Sequence, residues 1–104
     1  MVDEALVRTA LESVVDPELD ISIIDLGLVY DVRFSDTDAG LHAEVDMTLT
    51  SPGCPAAAEI MAAAHRAALS TEGLDSVHIN LVWAPRWDPK THASEDALME
   101  MGIW

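Results

Sequence analysis

The chain has 104 residues, half of them hydrophobic, which is enough for one domain with a modest core, too few for two, and too apolar for a disordered chain. Nineteen acids stand against five lysines and arginines, a net charge of −14 that would repel a nucleic-acid backbone and an anionic membrane surface. The acids are scattered, not blocked, which fits solubility or a salty cytoplasm, with a basic protein partner as the functional alternative.

Residues 3–15 have the pattern of a helix: Asp3 can cap it, and Leu6, Ala10, Leu11 and Val14 recur at helical spacing. Asp16-Pro17 should end it, because proline drives the residue before it out of the α region. Residues 27–35 read as a strand with Leu28, Tyr30, Val32 and Phe34 on one face. The stretch Asp36–Gly40 is rich in turn formers and suits a hairpin connection. Residues 41–49 alternate most clearly. Leu41, Ala43, Val45, Met47 and Leu49 point one way, and His42, Glu44, Asp46 and Thr48 the other, so one face is buried and one wet.

Residues 55–70 are alanine-rich and helical, with Ala57, Ile60, Met61, Ala64 and Ala68 in a stripe, Pro55 in the first turn and Glu72-Gly73 as the stop. Residues 76–83 form a third strand with Val77, Ile79, Leu81 and Trp83 on one face. A proline-broken loop, Trp83–Pro89, follows. A last helix spans 94–101, with Ser94 as cap, Glu95 and Asp96 in its first turn and Gly102 at its end. The order α-β-β-α-β-α predicts an α+β two-layer domain, with a small, mainly antiparallel sheet of about three strands and helices on one face. Such a sheet is marginal alone, which favours a homodimer.

The only cysteine, Cys54, lies in Thr50-Ser51-Pro52-Gly53-Cys54-Pro55, between a strand and a helix start. Backbone N–H groups and the helix dipole there favour a thiolate, and Gly53 leaves room beside the sulfur. A free cysteine is otherwise a small buried hydrophobe. One cysteine excludes an internal disulfide framework and fits a reducing compartment. The acidic opening Met1-Val2-Asp3-Glu4 is unlike a signal peptide, and no stretch is apolar for long enough to span a bilayer; the expected location is the cytoplasm.

A closed zinc or iron–sulfur site needs about four protein ligands. One thiol per chain supports only an open, labile site, shared between two subunits. His42 and His78 fall on outward strand faces, His65 on a helix and His92 in a loop, each expected to be solvated. No Cys–His–Asn hydrolase signature can be assembled. Asp16-Pro17-Glu18 reads as a turn with solvated acids, and Gly27 as the tight entry to a strand. Trp83 and Trp87 flank Pro85 and Arg86, either covering a core edge or presenting a docking surface.

Several segments together resemble the PaaD/SufT family of metal–sulfur cluster assembly domains. They are Asp16-Pro17-Glu18, Asp25–Val32, Met47–Pro55, Leu81-Val82-Trp83 with Trp87, and Gly102-Ile103, in the family's order over nearly the whole chain. With Cys54 as the only cysteine, the likeness is to the short SufT-like members. Relatives often have Trp-Asp-Pro-Pro-Trp where this chain has Trp83-Ala84-Pro85-Arg86-Trp87, so an acid is lost and an arginine gained.

The resemblance implies a non-enzymatic factor that helps mature iron–sulfur proteins, handling a labile cluster or iron as cargo. Cys54 would be the reactive or cluster-contacting thiol. Asp16, Glu18, Thr50, Ser51 and Gly53 would be its auxiliary residues. Assembly proteins and apo-protein clients would be the partners, with no nucleic acid and no membrane. Two alternatives are an adaptor that binds through Trp83, Arg86 and Trp87 and the acidic surface, and an accessory protein for one metallo-oxygenase.

Overall fold

The computed structural model describes residues 2–50 and 55–102. Helix α1 (Glu4–Leu11) begins where Asp3 accepts a hydrogen bond from the Leu6 N–H at 3.0 Å, and it buries Val7 and Leu11. It stops four residues short of the expected end. Val15–Asp16 (β1) instead pairs antiparallel with Ile21–Ser22 (β2). Val14 is buried as the sequence spacing suggested, but on extended backbone ahead of β1 and not on the helix. The pre-proline constraint on Asp16 and the β-branched Val15 both favour that extended backbone.

The main sheet has three strands in the order β3-β4-β5. Strands β3 (Val29–Thr37) and β4 (Gly40–Met47) form an antiparallel hairpin, closed where the Thr37 hydroxyl donates to the Gly40 carbonyl at 2.8 Å. Strand β5 (Ser76–Leu81) joins β4 in parallel, with Val45 opposite Ile79. The sheet is therefore mixed, and the expected mainly antiparallel character holds only for the hairpin and for the separate β1/β2 pair. The cause is α2 (Ala57–Leu69), whose 13 residues carry the chain back along the sheet before β5 begins.

On the covered face, Ala43, Val45 and Met47 of β4 and Val77 and Ile79 of β5 meet Ile60, Ala64 and Ala68 of α2, spaced as one helical stripe. Helix α1 packs beside α2 on the same side. These alternations match the expected ones. In β3 the expected Leu28, Val32 and Phe34 do lie on the core side, but a bulge between Val29 and Asp31 resets the pleat at the strand's start. Val29 and Val32 face the core, while Tyr30 is only half-buried.

Helix α2 starts at Ala57, so Pro55 precedes the helix instead of occupying its first turn. Strand β5 ends at Leu81, and Trp83 leaves the core face to stand 46% exposed. The short helix α3 (Pro89–His92) was not expected. Asp88 caps it by accepting from the Lys90 N–H at 3.0 Å, and Pro89 fits its first position. Helix α4 (Glu95–Met101) has the expected Ser94 cap, which accepts from the Ala97 N–H at 3.1 Å, and it ends at Gly102 with φ +77°.

Candidate functional site

Strand β4 delivers the chain to the segment that carries Cys54. The Thr48 N–H donates to the Leu28 carbonyl at 2.8 Å, and the Val82 N–H to the Met47 carbonyl at 2.8 Å. The chain leaving the sheet is thus held on one side by the entry to β3 and on the other by the exit from β5. Thr48 and Leu49 are buried and Thr50 half-buried. Ser51, Gly53 and Cys54 lie outside the described residues. Past them, Ala56 caps α2 without offering a side-chain oxygen. The first-turn N–H groups of α2 therefore have no side-chain acceptor from their cap, and such groups favour negative charge close by.

Asp16 is not the solvated acid expected from its sequence context; it is 1% exposed. Its Oδ1 accepts from the Glu18 N–H at 2.9 Å, and its carbonyl accepts from the Asp20 N–H at 2.7 Å. A buried carboxylate needs such donors to offset its lost hydration. Here they fold the chain into the turn joining β1 to β2, which Asp20 completes at φ +58°. Glu18, two residues on, is exposed.

The Asp25–Tyr30 segment serves as an anchorage for a strap formed by residues 83–94. The Trp87 indole N–H donates to the Leu26 carbonyl at 2.7 Å. The Tyr30 hydroxyl donates to the Pro85 carbonyl at 2.9 Å, and its ring stacks on His92 with centroids 5.2 Å apart. Burial raises the Tyr30 pKa, which keeps that phenol a donor. The Ser94 N–H closes the strap on the Asp25 carbonyl at 2.7 Å. Gly27 has φ +74°, and a Cβ there would lie 2.1 Å from the His92 carbonyl oxygen. Its role is thus wider than a strand entry, since the strap crosses directly over it. Trp87 is half-buried against the core, whereas Trp83 and Arg86 are exposed. Tyr30 and His92 were not singled out as site residues, and nothing local in the chain signals that they meet.

The open face of the sheet is a polar lattice. Glu44 accepts from Asn80 Nδ2 at 3.0 Å, pairs with His78 Nδ1 at 3.1 Å and also with His42, whose other nitrogen meets the Ser76 hydroxyl at 2.6 Å. Those bonds, Asn80 first, hold the Glu44 carboxyl down to about 2. Arg33 bridges Asp31 and Asp46; it lowers the Asp46 pKa, and its own is raised in return. His42 is therefore braced across strands, not free in solvent. No group of three or more His, Cys, Asp or Glu side chains among the described residues is arranged to hold a metal ion.

This arrangement of hairpin, mixed sheet and crossover helix has known counterparts. The family model described as "Iron-sulfur cluster assembly protein" matches residues 4–81. The chain belongs to that family. The Fe-S protein maturation auxiliary factor YitW of Bacillus subtilis is 40% identical, over 97% of this chain and 98% of the relative. The Fe-S protein maturation auxiliary factor SufT of Staphylococcus aureus is 38% identical, over 86% and 98%. A solved structure from Thermotoga maritima, the conserved hypothetical protein TM0487, superposes with a TM-score of 0.81 at 34% identity, over 98% of this chain and 96% of that one. The SufT-like resemblance and the α+β fold are both borne out. The family match ends at the last residue of β5, so the strap and α4 lie beyond it.

Proposed function

We propose that this protein helps mature iron–sulfur proteins as an assembly or transfer factor, with Cys54 as the thiol that contacts iron or a labile cluster. The observation that carries the reading is near-full-length similarity to proteins named as maturation auxiliary factors. The setting of the Cys54 segment agrees with it. That segment runs from buried Thr48 and Leu49 to a helix whose cap gives its first-turn N–H groups no side-chain acceptor. One thiol per chain suits cargo held between two subunits and passed on, with apo-proteins and assembly proteins as partners in the cytoplasm. Among the described residues no helix is long and apolar enough to cross a membrane.

The auxiliary residues divide by exposure. Asp16 is engaged in its own turn, so it shapes the β1/β2 hairpin, whereas exposed Glu18 is available as a hard ligand or partner contact. Thr50, Ser51 and Gly53, which precede Cys54 in the chain, complete the proposed auxiliary set. Anaerobic reconstitution with ferrous iron and sulfide tests the reading. Wild type should take up iron and acquire charge-transfer absorption, and release both to an apo-ferredoxin. Cys54→Ala should do neither. Equal uptake by both proteins, or by neither, overturns the thiol's role.

A second reading, an adaptor that binds through the tryptophan loop, is favoured by the exposure of Trp83. It assigns recognition to Trp83 and Arg86, and a packing role to Trp87.

A further inference from the structure

The cations of this acidic chain are unequally engaged. Arg8 is paired with Glu4 at 2.7 Å, and Arg33 is held between Asp31 and Asp46. Arg66 on α2 and Arg86 and Lys90 on the strap stand exposed, and none of the three has an ion-pair partner among the described residues; only the strap carries two of them within five residues. Asp88, the acid between Arg86 and Lys90, is occupied in capping α3: its carboxylate accepts from the Lys90 N–H at 3.0 Å and faces the Thr91 hydroxyl at 3.5 Å. Glu95 and Asp96 follow in the first turn of α4, where the helix dipole offsets part of their charge. On the same segment as Arg86 and Lys90, Trp83 presents a large apolar side chain to solvent. The backbone that carries all three is anchored at Pro85, Trp87 and Ser94 before any partner arrives. Little backbone ordering entropy would then remain to be lost on binding, the side chains of Arg86 and Lys90 being what is left to order.

We propose that the strap is a docking surface for an acidic peptide segment. Trp83 covers an apolar side chain of the partner, and Arg86 and Lys90 receive its carboxylates. Charge complementarity selects this occupant. On a molecule of net charge −14, this one segment carries two exposed cations without an ion-pair partner among the described residues, together with an exposed indole. At physiological salt, screening reduces repulsion from acids more than about 8 Å away while contact pairs persist. The inference rests on the maturation role above for the partner being a client or assembly protein, and it adds that partner's chemistry.

The test uses the full chain and a fluorescein-labelled peptide of alternating Glu and Leu, with versions carrying Gln or Lys in place of Glu, read by fluorescence anisotropy. The Glu peptide should bind about tenfold more tightly than the Gln peptide, and Trp83→Ala should weaken it about tenfold. The double variant Arg86→Gln/Lys90→Gln should abolish the preference for Glu over Gln. All three side chains are exposed, and circular dichroism with urea midpoints checks that each variant folds. Equal binding of the Glu and Gln peptides, or full affinity in the variants, overturns the proposal. So does preferential binding of the Lys peptide, which would make the acidic surface the docking face. Cys54→Ala should bind the Glu peptide like wild type, and Trp83→Ala should still load iron. Failure of the peptide result alone therefore removes the strap's role and leaves the thiol's standing.

Discussion

The sandwich of sheet and helices and the strap that crosses its edge are held by different physics. Between β4, β5 and α2 the contacts are apolar and continuous: Val45, Met47, Ile60, Ala64 and Ile79 all lie within one buried cluster. Burial of that kind is non-directional and scales with area, so it stabilises the element as a whole. The strap adds only Trp87 and Ala93 to the margin of that cluster, and it is fastened by discrete bonds to the Leu26, Asp25 and Tyr30 positions. Such bonds contribute about 1 kcal/mol each and fix geometry more than they add stability. The lesson is a division of labour. The apolar layer supplies folding free energy, and the polar fastenings hold the backbone segment that carries exposed Trp83, Arg86 and Lys90.

The contrast can be broken most severely from the core side. Ile60→Ala leaves a cavity under the sheet and should cost about 2–5 kcal/mol in urea unfolding, with every spectroscopic probe shifting together. Gly27→Ala should act on the junction. Alanine at φ +74° costs on the order of 1–3 kcal/mol in backbone strain, and its Cβ collides with the His92 carbonyl. Tryptophan emission should move to longer wavelength as Trp87 is released, while far-ultraviolet dichroism of the sandwich persists. Simultaneous loss of both signals would show that strap and sandwich are one cooperative unit.

Ser94→Ala removes only the α4 cap and should cost about 1 kcal/mol. Hydrogen exchange should rise in α4 and stay unchanged in α2. The smallest effect concerns the open face. Glu44, held to about 2 in the folded chain and near 4.5 when unfolded, favours the native state above pH 4.5. That contribution fades as the pH falls toward 2, because the folded carboxylate binds its proton last. Glu44→Gln should flatten this part of the acid limb of the urea midpoint. An unaltered limb would show that the lattice around Glu44 gives no net stability.

Much of the fold was legible because it is local. The alternation of Ala43, Val45 and Met47, the stripe of Ile60, Ala64 and Ala68, and the Asp3 and Ser94 caps each depend on residues within a few positions of one another. The same logic misled where two local tendencies competed. Val14 fits a helical stripe and an extended strand entry equally well, and pairing of Val15–Asp16 with Ile21–Ser22 decided for the strand. Asp16 looked like a solvated turn acid because its burial is imposed by the surrounding layers, which its neighbours in sequence do not encode. At the candidate site the motif around Cys54 was legible as a pattern of residue types. The fastening of Trp87 to Leu26, 61 residues apart, was not.

From the amino-acid order alone came the helical and strand periods, the cap positions, the family resemblance and the limit of one thiol per chain. These follow from side-chain chemistry and near-neighbour spacing, which survive without the rest of the molecule. Tertiary structure alone decided the parallel β4/β5 pairing, the bulge that turned Tyr30 toward the strap, the burial of Asp16, and the separation of Trp87 as anchor from Trp83 as exposed surface. Each of those depends on which distant backbone groups and apolar faces meet, and that choice is made only when the whole core is buried at once.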